Sequence, residues 1–362
     1  MDREIYTMHI GHTVLAKELL IDLWRDLGER GQGQCRQMFG RLTDLAEVPV
    51  NWDLIKALAW FWDNERRCFV INDTDYGPLV EEYEAIFQGN QINIRSTYSP
   101  SQRTSVTRKL ARYFGVPHSD ISQEVKEETR MNIKKLVVIR NQLLEKYGNE
   151  EARYQEIKLK TYALAAFGLI LFPTEDRIID SCLYDLMIGV WEEKVNPMIS
   201  VLAETVATFS DLFEKRGGKF KACPQLFQIW AMQHFLRPHN SELGPYQPNP
   251  VTATINLERE VVREQQTIEE WKGYFRNLTE IKWNAAFMIL NSGHDCLVGS
   301  KEDTWEGKTW IPLFGPWTCI GYAPQMFLRQ FRSQQVTCNL EGMKECKFSL
   351  WDKEGINARW KR

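Results

Sequence analysis

The sequence predicts a mainly α-helical fold: a single multi-helix globular domain with a few short extended segments. Three observations carry this. Apolar residues recur every three to four positions over much of the chain, the spacing of an amphipathic helix. Proline, glycine and capping residues fall between these stretches, where helices start and stop. The composition, 43% hydrophobic and 26% charged over 362 residues, is that of a chain able to bury a sizeable core.

In chain order, residues 13–28 carry Val14, Leu15, Leu19, Leu20, Leu23, Trp24 and Leu27 on one face. Further helices are expected over 34–47 and 52–62. The short stretch Arg67 to Asn72 (RCFVIN) is aromatic and β-branched, which suits an extended segment. Pro78 is placed to open a helix, PLVEEYEAIF, whose acids lie in the first turns, where the helix dipole favours them. Residues 130–147 align Ile133, Leu136, Val137, Arg140, Leu143, Leu144 and Tyr147, with Gly148 closing the helix. Helices at 153–171, 176–193, 198–214 and 224–236 follow, separated by Pro173, Pro197, Gly217-Gly218 and Pro224. Thr267 and Glu270 have capping-box spacing for a helix through Leu278. An extended piece is expected around Thr309 to Leu313 and a last helix from Pro324 to Gln334. The proline-rich segment 238–250 is the best internal boundary within a domain spanning 1–362.

Several function classes lack their signatures. The net charge of −3 gives no overall pull toward nucleic acid or acidic lipid. The N-terminus has no apolar segment of the secretory kind. The longest apolar run, Tyr162 to Pro173, is shorter than the roughly 20 residues a membrane span needs, so a buried helix is expected and no membrane contact. The eight scattered cysteines contain no CxxC pair and are expected to be reduced thiols. His9 and His12, the His294/Cys296 pair and the Cys338/Cys346 pair each fall short of a metal-ligand pattern, and no metal or cofactor is expected. No phosphate-binding glycine loop or nucleophile elbow is present. Gly217-Gly218 among Lys215, Arg216, Lys219 and Lys221 reads as a cation-rich helix end.

Three readings of the polar residues stay open. Asp73, Asp75, Glu81 and Glu82 are clustered acids that a metal-dependent nuclease or another enzyme could use; as caps and solvated faces they would have no catalytic role. Lys215, Arg216, Lys219, Lys221, Arg329 and Arg332 are the candidate nucleic-acid contacts, and are expected to lie on different faces. The third reading has no catalytic residues and makes the protein an interaction module.

The 13 Trp suggest a well-organised core or a contact surface. The densest aromatic stretch is WIPLFGPWTCIGYAPQMFLRQFRSQQV, residues 310–336. Its prolines and glycines are expected to fix turns. Trp310, Trp317 and Tyr322 are expected to pack against Trp60, Phe61 and Trp62 as a structural aromatic core.

Ordered blocks of the chain resemble a plant domain of unknown function. They are LIKALAWFWDNERRCFVINDTDYGPLVEEYEAIF (54–87), FGLILFP (167–173), VLAET (201–205), GKFKACPQLFQIW (218–230) and the stretch from Trp310 to Gln335. That family is similar to the plant mobile domain, sometimes labelled aminotransferase-like, found in retrotransposon-associated reading frames and in host genes. The resemblance implies a mainly helical fold, a nuclear location, a protein partner that for some relatives is phosphatase-like, and roles in transposon silencing or development. It supplies no catalytic residue, and no lysine here has the context of a pyridoxal phosphate site. The chain departs from the family pattern at Leu79, where threonine is usual, and at Ser333 to Gln335.

Overall fold

Helical spacing in the sequence becomes helix wherever an apolar stripe finds a partner. In a computed structural model of the chain, the residues described are 9–11, 17–88, 105–122, 129–175, 177–215, 217–235, 266–278, 310–331 and 338–349. The elements in order are β1 (His9–Gly11), α1 (Lys17–Asp26), α2 (Gly28–Phe39), α3 (Leu42–Leu45), α4 (Trp52–Ala59), β2 (Trp62–Asp63), β3 (Cys68–Ile71), β4 (Thr74–Tyr76) and α5 (Val80–Phe87). Next come α6 (Val106–Phe114), α7 (Ser119–Ser122), β5 (Arg130–Asn132), α8 (Ile133–Tyr147) and α9 (Glu151–Ala166). A π-helical turn (Phe167–Leu171) extends α9, and β6 (Ile178–Asp180) leads into α10 (Cys182–Ile188) with a second π-turn (Gly189–Glu193). The remainder is α11 (Pro197–Lys215), β7 (Gly217–Lys219), α12 (Pro224–Phe235), α13 (Ile268–Arg276), β8 (Ile311–Phe314), β9 (Thr318–Tyr322), a 3₁₀ helix (Pro324–Phe331) and β10 (Lys347–Ser349). No helix among the described residues is long and apolar enough to cross a membrane.

The fold is mainly helical with small sheets, as the periodicity predicts. The sheets are short pairings: β2-β3-β4 and β8-β9-β10 are antiparallel with β3 and β9 central, β5 pairs antiparallel with β6, and β1 pairs parallel with β7. At the centre lies α11. Every residue from Pro197 to Ser210 is buried, so this helix is apolar or satisfied on all sides, as a helix enclosed by a large core must be. Around it pack α5, β2, β7, β8 and β9.

The differences from the predicted bounds have local causes. The helix expected at 34–47 begins at Gly28 and stops at Gly40, whose φ of 47° breaks the helix before the short α3. The helix expected to reach residue 62 ends at Ala59, because Trp62 and Asp63 pair with Phe69 and Cys68. Pro78 lies two residues before its helix; the cap position is Leu79, whose N–H is accepted by Glu82. Residues 130–132 and 178–180, expected to be helical, pair with each other instead. Gly217-Gly218 follows the end of α11 and lies in β7 beside β1. Gly148 ends α8 in right-handed conformation, while the left-handed ends are at Gln88, Gly115 and Lys194. The final helix is 3₁₀. The capping box of Thr267 and Glu270 forms as expected. The proposed boundary at 238–250 lies outside the described residues.

Candidate functional site

The acids singled out as a possible metal cluster are dispersed by the fold. Asp73 is exposed in a turn at φ 59°, and Glu81 is half-buried. Asp75 is buried and pairs with Arg66 at 3.1 Å. Glu82 is 2% exposed and turns inward. One of its oxygens accepts the Leu79 N–H at 2.8 Å and the Trp230 indole N–H at 3.0 Å, and the other lies 2.5 Å from His234 Nε2. This binds α5 to α12 inside the core. Among the described residues, no three His, Cys, Asp or Glu side chains are grouped to hold a metal ion. His12, His294 and Cys296 lie outside the described residues, as does the His9 side chain.

A second buried carboxylate organises the aromatic stretch. Glu204 of α11 accepts the N–H groups of Trp317 and Thr318 at 3.0 and 3.1 Å, and the Thr318 hydroxyl at 3.2 Å. These donors belong to the end of the turn after β8 and to the first residue of β9. Burial pushes the Glu204 carboxyl up to about 7, against the lowering effect of its hydrogen bonds. Gly315 is required here, since a Cβ would sit 2.1 Å from a Glu204 oxygen.

The six aromatic residues divide by depth. Trp62, Trp310 and Tyr322 are buried; Trp60, Phe61 and Trp317 are only partly so. Their contacts include Trp62 with Phe69 and Phe209, Phe61 with Phe275, Trp317 with Phe172 and Tyr322 with Phe327. Lys272 sits 4.0 Å above the Trp60 ring. The Trp310 indole donates to the Glu341 carbonyl, and the Tyr322 hydroxyl donates to the Pro78 carbonyl at 2.7 Å.

Of the candidate nucleic-acid contacts, Lys215 pairs with Asp211 and Lys219 lies 3.8 Å from Glu175. Lys221 is exposed. Arg216, Arg332 and the Arg329 side chain lie outside the described residues.

Among the described residues, a concave surface lies across the start of α9. A groove of about 600 Å³ runs between α2, α9 and the second π-turn. Arg30, Gln34, Gln37 and Met38 form one wall, Gln155, Glu156 and Leu159 the other, and Trp191 and Lys194 the end. A second hollow of about 500 Å³ on the far side of the same helical turn shares Glu151, Ala152 and Glu156, and adds Phe114, Glu150 and Arg153. The floor is held firmly. The buried Lys160 ammonium bonds Glu156 at 2.7 Å and lies 5.3 Å from the Trp191 ring centre, while Trp191 packs on Phe39 and Tyr113. The π-turn that carries Trp191 is tied to α6 by Arg112 and Glu192. Three carboxamides, both charge signs and an aromatic floor suit a peptide, whose backbone both donates and accepts hydrogen bonds.

No reading of the sequence selected this groove. Gln34 and Gln37 are exposed on α2 and Gln155 is half-buried on α9, and Trp191 gains its position from a π-turn that no residue pattern marks. A π-turn within a helix frequently accompanies a functional site.

The profile of a family described as a domain of unknown function (DUF7745) matches residues 20–353. Comparison with curated proteins and with solved structures gave no match.

Proposed function

We propose that this chain, which belongs to the DUF7745 family of domains of unknown function, is a non-enzymatic protein-interaction module. Its ligand is an extended protein segment lying in the groove between α2, α9 and Trp191. The observation that carries this reading is the groove's lining: exposed carboxamides of Gln34 and Gln37, the half-buried Gln155, and Arg30 and Lys194 set against Glu151 and Glu156 over an apolar floor. Such a surface pairs with backbone amides and with a segment of mixed charge. By the resemblance to plant mobile domains, the setting is a transposable-element-associated or domesticated plant protein acting in the nucleus, in silencing or development. A phosphatase-like protein is the first partner to test.

The test compares wild type with a Gln37→Glu/Gln155→Glu double variant in pull-downs from plant nuclear extract, followed by binding to the purified partner. At least tenfold weaker binding by the variant supports the reading. A partner held equally by both contradicts it. The metal-dependent nuclease and nucleic-acid readings remain the alternatives, and the same preparation addresses them. Cleavage of duplex DNA with added Mg²⁺ would favour the first, and a saturable, salt-sensitive shift lost in Lys219→Ala/Lys221→Ala the second.

A further inference from the structure

Cys319 of β9 and Cys346, immediately before β10, bring their Sγ atoms to 4.0 Å. The ladder places them there. Cys319 pairs with Phe348, and the Gly321 N–H donates to the Cys346 carbonyl, so the two cysteines are diagonal neighbours on adjacent strands. Beside them lies Arg67, 3% exposed. Its guanidinium donates to the carbonyls of Gly321, Cys346 and Lys344 at 3.0, 3.2 and 2.8 Å, and its buried Nε makes no hydrogen bond. None of these partners is a carboxylate. Gly321 makes the room: a Cβ there would meet Met343 at 2.7 Å and the Arg67 guanidinium at 3.0 Å. A buried cation hydrogen-bonded to neutral carbonyls favours an anion next to it, and the ionisable groups acting on Arg67 are the Cys346 and Cys319 thiols together with the carboxylates of Glu214 and Glu345.

We propose that Cys319 and Cys346 form a dithiol modification site that hydrogen peroxide converts to a disulfide, with Arg67 favouring the attacking thiolate. Cys346, 8% exposed against 0% for Cys319, is the less buried of the two and is assigned the first reaction with peroxide. Its thiolate attacks one peroxide oxygen, the O–O bond breaks, and water leaves with the thiol proton. The resulting sulfenic acid is attacked by the Cys319 sulfur; the S–O bond breaks and a second water leaves. In sum, two thiols and one peroxide give one disulfide and two waters. The sulfurs must approach by about 2 Å to reach bonding distance, a movement confined to one strand pair. The product staples β10 to β9.

The test treats the purified chain with hydrogen peroxide, blocks remaining thiols with N-ethylmaleimide and maps peptides by mass spectrometry. The expected result is a Cys319–Cys346 linked pair forming before other cysteines are oxidised, reversed by dithiothreitol, with a melting temperature a few degrees higher. Cys346→Ser should abolish both the link and the shift. Arg67→Met should slow linkage at least tenfold. Should that variant not fold, the wild type's linkage rate against pH provides the same information: a half-maximal rate below about 8.5, the ordinary thiol value, supports the role of Arg67, and one above it removes that role. Recovery of both cysteines as maleimide adducts, or of Cys346 over-oxidised beside a reduced Cys319, overturns the proposal.

Discussion

Glu204 concentrates the electrostatics of this core in one residue. In the unfolded chain its carboxyl titrates near 4.5, and in the fold near 7. Between those values the folded state holds a proton that the unfolded state has released. Its contribution to stability is therefore largest below 4.5, falls as pH rises toward 7, and is constant above. Glu84, raised to about 7 by burial, acts with the same sign. Glu204→Gln keeps the acceptor oxygen but cannot ionise. Denaturation from pH 4 to 8 should show part of the wild-type decline missing in the variant, by a few kcal/mol at roughly 1.4 kcal/mol per pKa unit. Parallel profiles for the two proteins would refute this. Trp230 offers a second residue test. Trp230→Phe leaves the buried Glu82 carboxylate one donor short, at a cost of about 1–3 kcal/mol; a urea midpoint unchanged from wild type would show that the bond contributes nothing.

At the scale of elements, helix existence was legible and helix ends were not. The stripe through Ile133, Leu136 and Leu143 marked α8, and all three are buried. Nothing local marked Arg130 to Asn132 as a strand, since its partner, Ile178 to Asp180, lies far along the chain. Tertiary pairing there overrode a helical pattern. The π-turn under Trp191 was equally hidden, and with it the groove. Glycine positions separate these cases experimentally. Gly33 sits on the exposed face of α2 with nothing near its missing Cβ, so Gly33→Ala should stabilise by about 1 kcal/mol. Gly40, at φ 47°, would place a Cβ 2.1 Å from the Phe87 carbonyl oxygen. Gly40→Ala should destabilise by about 3 kcal/mol or more, read as opposite shifts in melting temperature for the two variants. Similar shifts would contradict the packing described for the end of α2.

Across the whole molecule, the blocks that carried the family resemblance dock onto one another. Glu82, from the segment at 54–87, meets Trp230 of GKFKACPQLFQIW. Glu204 of VLAET holds the turn at Trp317. Arg67 reaches Gly321, and Tyr322 reaches the Pro78 carbonyl. These residues hold distant parts of the chain in register, so they identify the fold and are silent about the ligand. The groove is built from side chains outside those blocks, many of them exposed, and therefore stayed illegible. Its proposed occupant is a protein segment. The most direct measurement places a photo-crosslinking amino acid at Gln37, in the groove, and separately at Val138, an exposed position of α8, in protein expressed in plant cells. A discrete protein adduct from position 37 and none from position 138 is the expected result. Equal labelling from both positions, or no protein adduct from position 37, would contradict it.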